Sequence, residues 1–94
     1  MFGITRPRTV SPSTRREAAT RHLRIARAGV YDDLARARRR QRRGHSWPQD
    51  EVAEMIRGAE ARLAALEALA RLVARGDEQT IRWILDLAEL QHAA

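Results

Sequence analysis

The chain contains neither cysteine nor lysine. Without cysteine, no disulfide framework and no thiolate metal site can form, which suits a reducing compartment. Without lysine, all 18 basic positions fall to arginine, and alanine fills another 17. A GC-rich coding sequence would produce both biases, so they say little about chemistry, although the planar guanidinium fork suits phosphate better than an ammonium does. No apolar run approaches the roughly 20 residues needed to span a bilayer, and no continuous apolar stretch marks a secretory signal. A soluble, cytoplasmic chain without membrane contact is expected. Also missing are a phosphate-binding glycine loop, a nucleophile elbow and a pair of catalytic carboxylates. His22, His45 and His92 stand far apart, without the paired spacing of metal ligands. The sequence therefore predicts no enzyme, no metal and no cofactor.

What is present is an uneven charge. The first 43 residues carry thirteen arginines against Glu17, Asp32 and Asp33, a net charge of +10. Residues 44 to 94 carry five arginines and nine acids, a net charge of −4. The densest stretch holds Arg36, Arg38, Arg39, Arg40, Arg42 and Arg43 with no acid among them. Six like charges without local partners repel one another, and a split this sharp points to a polyanionic partner, most often nucleic acid.

Hydrophobic periodicity predicts an all-α fold, since no strand-like alternation and no internal repeat is sustained. Residues 1–13, with Gly3, Pro7 and Pro12, read as a flexible basic arm carrying Arg6 and Arg8. Residues 14–94 read as one helical domain with helices over about 14–43, 47–75 and 78–92. Thr14 and Glu17 fit a capping box at the first start. Ala19, Leu23, Ala26, Val30, Leu34 and Ala37 then share a stripe about 80° wide at 100° per residue. Gly29 leaves the helix continuous, kinked or split. Because the stripe stops at Ala37, the last two turns before Gly44 are expected to project as a charged rod.

Gly44 to Gln49 forms the clearest boundary: glycine ends one helix, and Ser46 with Gln49 fits a second capping box around Pro48. Asp50 and Glu51 follow in the first turn, where the helix dipole favours anions. Val52, Ile56, Ala59, Leu63, Leu66, Ala70 and Val73 then repeat at the spacing of a heptad seam. Gly76-Asp77 closes this helix and caps the next. The tight turn predicts a C-terminal antiparallel hairpin that supplies most of the core, completing a three-helix bundle or pairing as a hairpin dimer. A core this small supplies only a few kcal/mol, so homodimerisation through Ile81, Trp83, Ile84, Leu87 and Leu90 is expected.

On a helix, Arg36, Arg39, Arg40 and Arg43 lie within about 100° of arc, and Arg21 shares that face further up. Arg38 and Arg42 point elsewhere. The run Arg36-Ala-Arg-Arg-Arg-Gln-Arg-Arg43 is similar to the arginine-rich peptides of viral RNA-binding regulators over eight residues, a likeness of composition rather than of family. These seven arginines are the candidate nucleic-acid contacts, with DNA placed ahead of RNA. A sharper variant makes Gly29 the turn of a helix-turn-helix, although Asp32 and Asp33 would then open the recognition helix and repel phosphate. Trp47 beside Pro48 could stack on a base, but is read first as a staple against the second helix. Trp83 is placed in the core or an interface, and Tyr31 on the helix pair or on nucleic acid. The expected function is a small nucleic-acid-binding accessory protein. The alternatives are a helical adaptor or assembly subunit, of the phage or mobile-element type, docking on an acidic protein, and a basic helix neutralised by acids of its own chain.

Overall fold

The computed structural model describes residues 12–44 and 47–93, the side chains of residues 12 and 93 excepted. Among these residues the fold is all-helical, with α1 at Pro12–Arg43, α2 at Gln49–Ala74 and α3 at Glu78–Ala93. Among the described residues no helix is long and apolar enough to cross a membrane. The expected arm, up to residue 11 and including Arg6 and Arg8, lies outside the described residues, as do His45 and the Ser46 half of the second cap.

α1 begins with proline at its first position, where the missing N–H would have had no helical partner. Thr14 is thus inside the helix rather than at its cap. The 32 residues of α1 run unbroken through Gly29, giving a rod about 48 Å long. Gly29 is therefore not a turn, and the helix-turn-helix variant is overturned. The stripe explains why one unfavourable glycine does not break the helix: Ala19, Leu23, Leu34 and Ala37 are buried on both sides of it. Val30 is half-buried, whereas Ala26 is exposed.

α2 returns antiparallel to α1. Asp33 lies beside Arg62, Arg38 beside Glu60 and Arg40 beside Met55, while the Arg16 guanidinium covers Gly76 at the other end. The heptad seam forms the inner face: Val52, Ala59 and Val73 are buried, Ile56, Leu63 and Leu66 half-buried, and Ala70 exposed. Three of the buried seam residues from the two helices are alanines (Ala19, Ala37 and Ala59), which lets the backbones approach closely.

α3 has 16 residues and reaches about 24 Å, against about 39 Å for α2, so it covers only part of the pair. Where all three helices meet, Ala19, Leu23, Val73, Ile81 and Ile84 form the main core, flanked by Leu66, Leu69 and Leu85. Towards the other end, Leu34, Ala37, Val52 and Ala59 are buried where α1 and α2 pair. Among the described residues the C-terminal helices supply five of the nine buried apolar residues, the expected majority but a narrow one. Four of the nine buried apolar residues come from α1, because its stripe continues for five turns while α3 contributes only Ile81 and Ile84.

The turns follow the chemistry of their glycines. Gly44 (φ 58°) and Gly76 (φ 78°) both adopt the left-handed conformation just past a helix end. At α2, Gly76 N–H donates to Val73 O at 2.9 Å and Asp77 N–H to Leu72 O at 3.1 Å, so two terminal carbonyls are satisfied. Asp77 then caps α3, its carboxylate accepting from Thr80 N–H at 3.3 Å and from the Thr80 hydroxyl. Arg15 ties α1 to this turn through Glu78 at 3.1 Å.

Two glycines should respond oppositely to alanine. At Gly29 a Cβ would meet nothing within 4 Å, and the conformation is helical, so Gly29→Ala should stabilise by about 0.5–1 kcal/mol. At Gly76 the positive φ and the overlying Arg16 should make Gly76→Ala cost about 1–2 kcal/mol. Urea unfolding of both variants checks the signs. Destabilisation by Gly29→Ala would contradict an unbroken α1.

Candidate nucleic-acid interface

The arginine run sits on a helix held in place, not on a projecting rod. Leu34, Ala37 and Val52 are buried beside it, so the last turns of α1 pack against the first turns of α2. Arg40, at the edge of the stripe, is half-buried. Its Nη1 lies 3.8 Å from Met55 Sδ, and its guanidinium carbon lies 4.3 Å above the centroid of the Trp47 ring. That stack contributes roughly 0.5–1 kcal/mol at an exposed site. Its direction matters more than its energy, because it fixes one guanidinium beside an accessible indole.

Trp47 is 41% exposed, which corrects its reading as a core staple. The cause is local: α2 starts only after Pro48, whose carbonyl accepts from Val52 N–H at 3.1 Å. Gln49 is the first residue of α2 rather than its third. Its side-chain amide donates to Gly44 O at 2.9 Å and to Trp47 O at 3.2 Å, tying the connection between the helices. The reversal at Gly44 then brings the indole back against α1. Arg36, Arg39, Arg40, Arg43 and Trp47 line an open cleft of about 160 Å³.

Few of these cations are neutralised. Within the run only Arg38 meets a described carboxylate, Glu60 at 3.9 Å, whereas none lies within 4.0 Å of Arg36, Arg39, Arg40, Arg42 or Arg43. Two nearby acids are engaged by other arginines. Glu54 binds Arg57 at 2.7 Å and Asp33 lies 3.9 Å from Arg62. The neighbouring cleft of about 240 Å³ mixes Arg36, Arg40 and Arg62 with Asp33 and Glu54. Of the two, only the cleft at Trp47 is lined by cations without acids, and so it alone favours an anion.

Arg21 is not brought together with the run. It stands about 22 Å along the helix from Arg36. The exposed Asp32 lies between them on the same face at helical spacing. The positive surface at the cleft is therefore about 11 Å long, from Arg36 to Arg43. Arg42 is exposed on a different face, and Arg38 flanks α2.

At the opposite end, Ile81 and Ile84 are buried inside the chain. Trp83 (52% exposed), Leu87 and Leu90 face outwards, together with Ile25 of α1. Trp83, Leu87 and Ile25 border a groove of about 320 Å³ that also touches His22 and Leu69. Tyr31 is exposed. His22 and His92 are exposed, and among the described residues no group of three or more metal-binding side chains occurs.

The sequence reading missed the Arg40–Trp47 stack, because only the geometry of the reversal at Gly44 shows that the indole folds back on α1. It also gave no role to Arg15 and Arg16, which secure the start of α1 at the α2–α3 turn. No protein-family model, curated protein or solved structure matches the chain.

Proposed function

We propose that this chain is a small nucleic-acid-binding accessory protein that holds phosphates with one face of α1, in the cytoplasm and without catalysis. One observation carries the reading: five of the six arginines of the run have no described carboxylate within 4.0 Å, and three of those five share one cleft with Arg40 and Trp47 stacked at its edge. The same observation weakens the reading in which the run is neutralised by its own chain. Arginines left without partners repel one another, and a phosphate relieves that repulsion while releasing counterions. DNA is the first polymer to test.

Changing Arg36, Arg39, Arg40 and Arg43 together to alanine should leave the helical content intact, because none belongs to the buried core. The plot of log affinity against log salt should flatten by about 3 in slope. An unchanged slope, or no binding of wild-type protein even at low salt, would contradict the reading and favour docking on an acidic protein.

We further propose a homodimer through the exposed apolar face of Ile25, Trp83, Leu87 and Leu90. It is supported by the clustering of Ile25, Trp83 and Leu87 along one groove, with the exposed Leu90 on the Trp83 face of α3 at helical spacing. Ile81 and Ile84, expected at the same interface, instead complete the core of one chain. In sedimentation experiments the wild-type chain should run as a dimer, and the double variant Trp83→Glu, Leu90→Glu as a folded monomer. A wild-type monomer at every concentration would exclude this part.

A further inference from the structure

We propose that the Trp47 cleft holds a single-stranded segment of two or three nucleotides, with one unpaired base stacked on the indole and the adjoining phosphates in the forks of Arg36, Arg39 and Arg43. The protein would then prefer single-stranded nucleic acid to duplex. This inference rests on the nucleic-acid reading above and narrows it to one kind of strand.

Three features of the site favour an unpaired nucleotide over a duplex. First, an uninterrupted positive surface of about 11 Å spans only about three phosphates at the spacing of one strand. Beyond it the exposed Asp32 would repel a backbone that continued along α1 towards Arg21. A long duplex footprint is thus cut short, whereas a strand of two or three nucleotides fits.

Second, the indole is presented for contact. Trp47 is 41% exposed at a helix junction, and the Arg40 guanidinium at 4.3 Å holds the ring in place. A base in a duplex already has neighbours on both faces, so only an unpaired or terminal base can stack on a protein ring. Stacking of this kind supports about 5- to 150-fold in affinity per base.

Third, the donors are of the right kind and in the right place. Arg36, Arg39 and Arg43 recur at one helix face, line the same cleft as the indole and meet no described carboxylate within 4.0 Å. Each guanidinium offers a planar fork that pairs with two phosphate oxygens. Arg40 is already stacked on Trp47, so its role is to position the ring.

The test compares three fluorescent oligonucleotides of equal length with the full chain at low salt: a thymidine single strand, a blunt duplex, and a single strand of abasic sites. Variants Trp47→Ala and Trp47→Phe are measured beside the wild type. We expect the thymidine strand to bind about 10-fold more tightly than the duplex or the abasic strand. Trp47→Ala should lose that preference, Trp47→Phe should recover most of it, and helical content should be unchanged in both. In a Trp83→Phe background the remaining indole emission should be quenched by the thymidine strand and not by the abasic one. Equal binding of strand, duplex and abasic strand, or a Trp47→Ala variant with undiminished preference, overturns this inference while the nucleic-acid reading survives. Failure of all three oligonucleotides to bind overturns both.

Discussion

The close pairing of α1 with α2 is the contact on which the rest depends. Ala19, Ala37 and Ala59, all essentially buried, let the two backbones approach, and Leu34, Val52 and Val73 fill the space around them. This pairing runs nearly the length of both helices, so it sets the register that places Arg40 beside Met55 and Arg38 beside Glu60. It also decides where the arginine run ends up. Without it, the last turns of α1 would be a free charged rod. With it, they form one wall of a fixed cleft whose other wall is Trp47.

α3 divides the molecule into two ends of different character. Being shorter than α2 by ten residues, it seals the α1–α2 pair only near the Gly76 turn, where Ile81 and Ile84 complete the main core. The uncovered end carries the cations and an accessible indole, and the covered end carries an accessible apolar face. Charge is handled differently along the chain as well. The acids of α2 and α3 serve helix starts, as with Asp77, or pair locally, as with Glu54 and Arg57. Two further acids reach α1, Glu78 at Arg15 and Glu60 at Arg38, and neither lines the cleft at Trp47. Exposed pairs such as Arg38 with Glu60 contribute at most about 1 kcal/mol, so no strong force draws the run into internal pairing.

Much of this was legible in the residues. The periodicity of Leu23, Leu34 and Ala37, and of Val52, Ala59 and Val73, marks the inner faces, because burial in a helix needs that spacing. Gly44 and Gly76 mark the helix ends, since both positions need a backbone that other residues resist. Harder to read was which helices pair, because α1, α2 and α3 all offer apolar stripes and the spacing names no partner. The tight turn before α3 suggested that α2 and α3 form the main pair, yet α1 pairs with α2 from Gly76 to Met55 and supplies four of the nine buried apolar residues. The site divides in the same way. The arginine face follows from helical geometry alone, but the place of Trp47 depends on how the chain reverses after Gly44. The break at Asp32 was visible in the sequence, and the charge count of the whole segment hid it.

Five of the six arginines of the run stand without a described carboxylate within 4.0 Å. The decisive measurement is the thermal midpoint of the protein as sodium chloride rises from about 0.01 to about 0.15 M, over which the Debye length falls from about 30 to about 8 Å. Unpaired like charges on one short helix segment predict a midpoint that climbs with salt, because screening relieves their repulsion. A midpoint that falls over the same range would mean that internal ion pairs hold the fold, and would contradict the account.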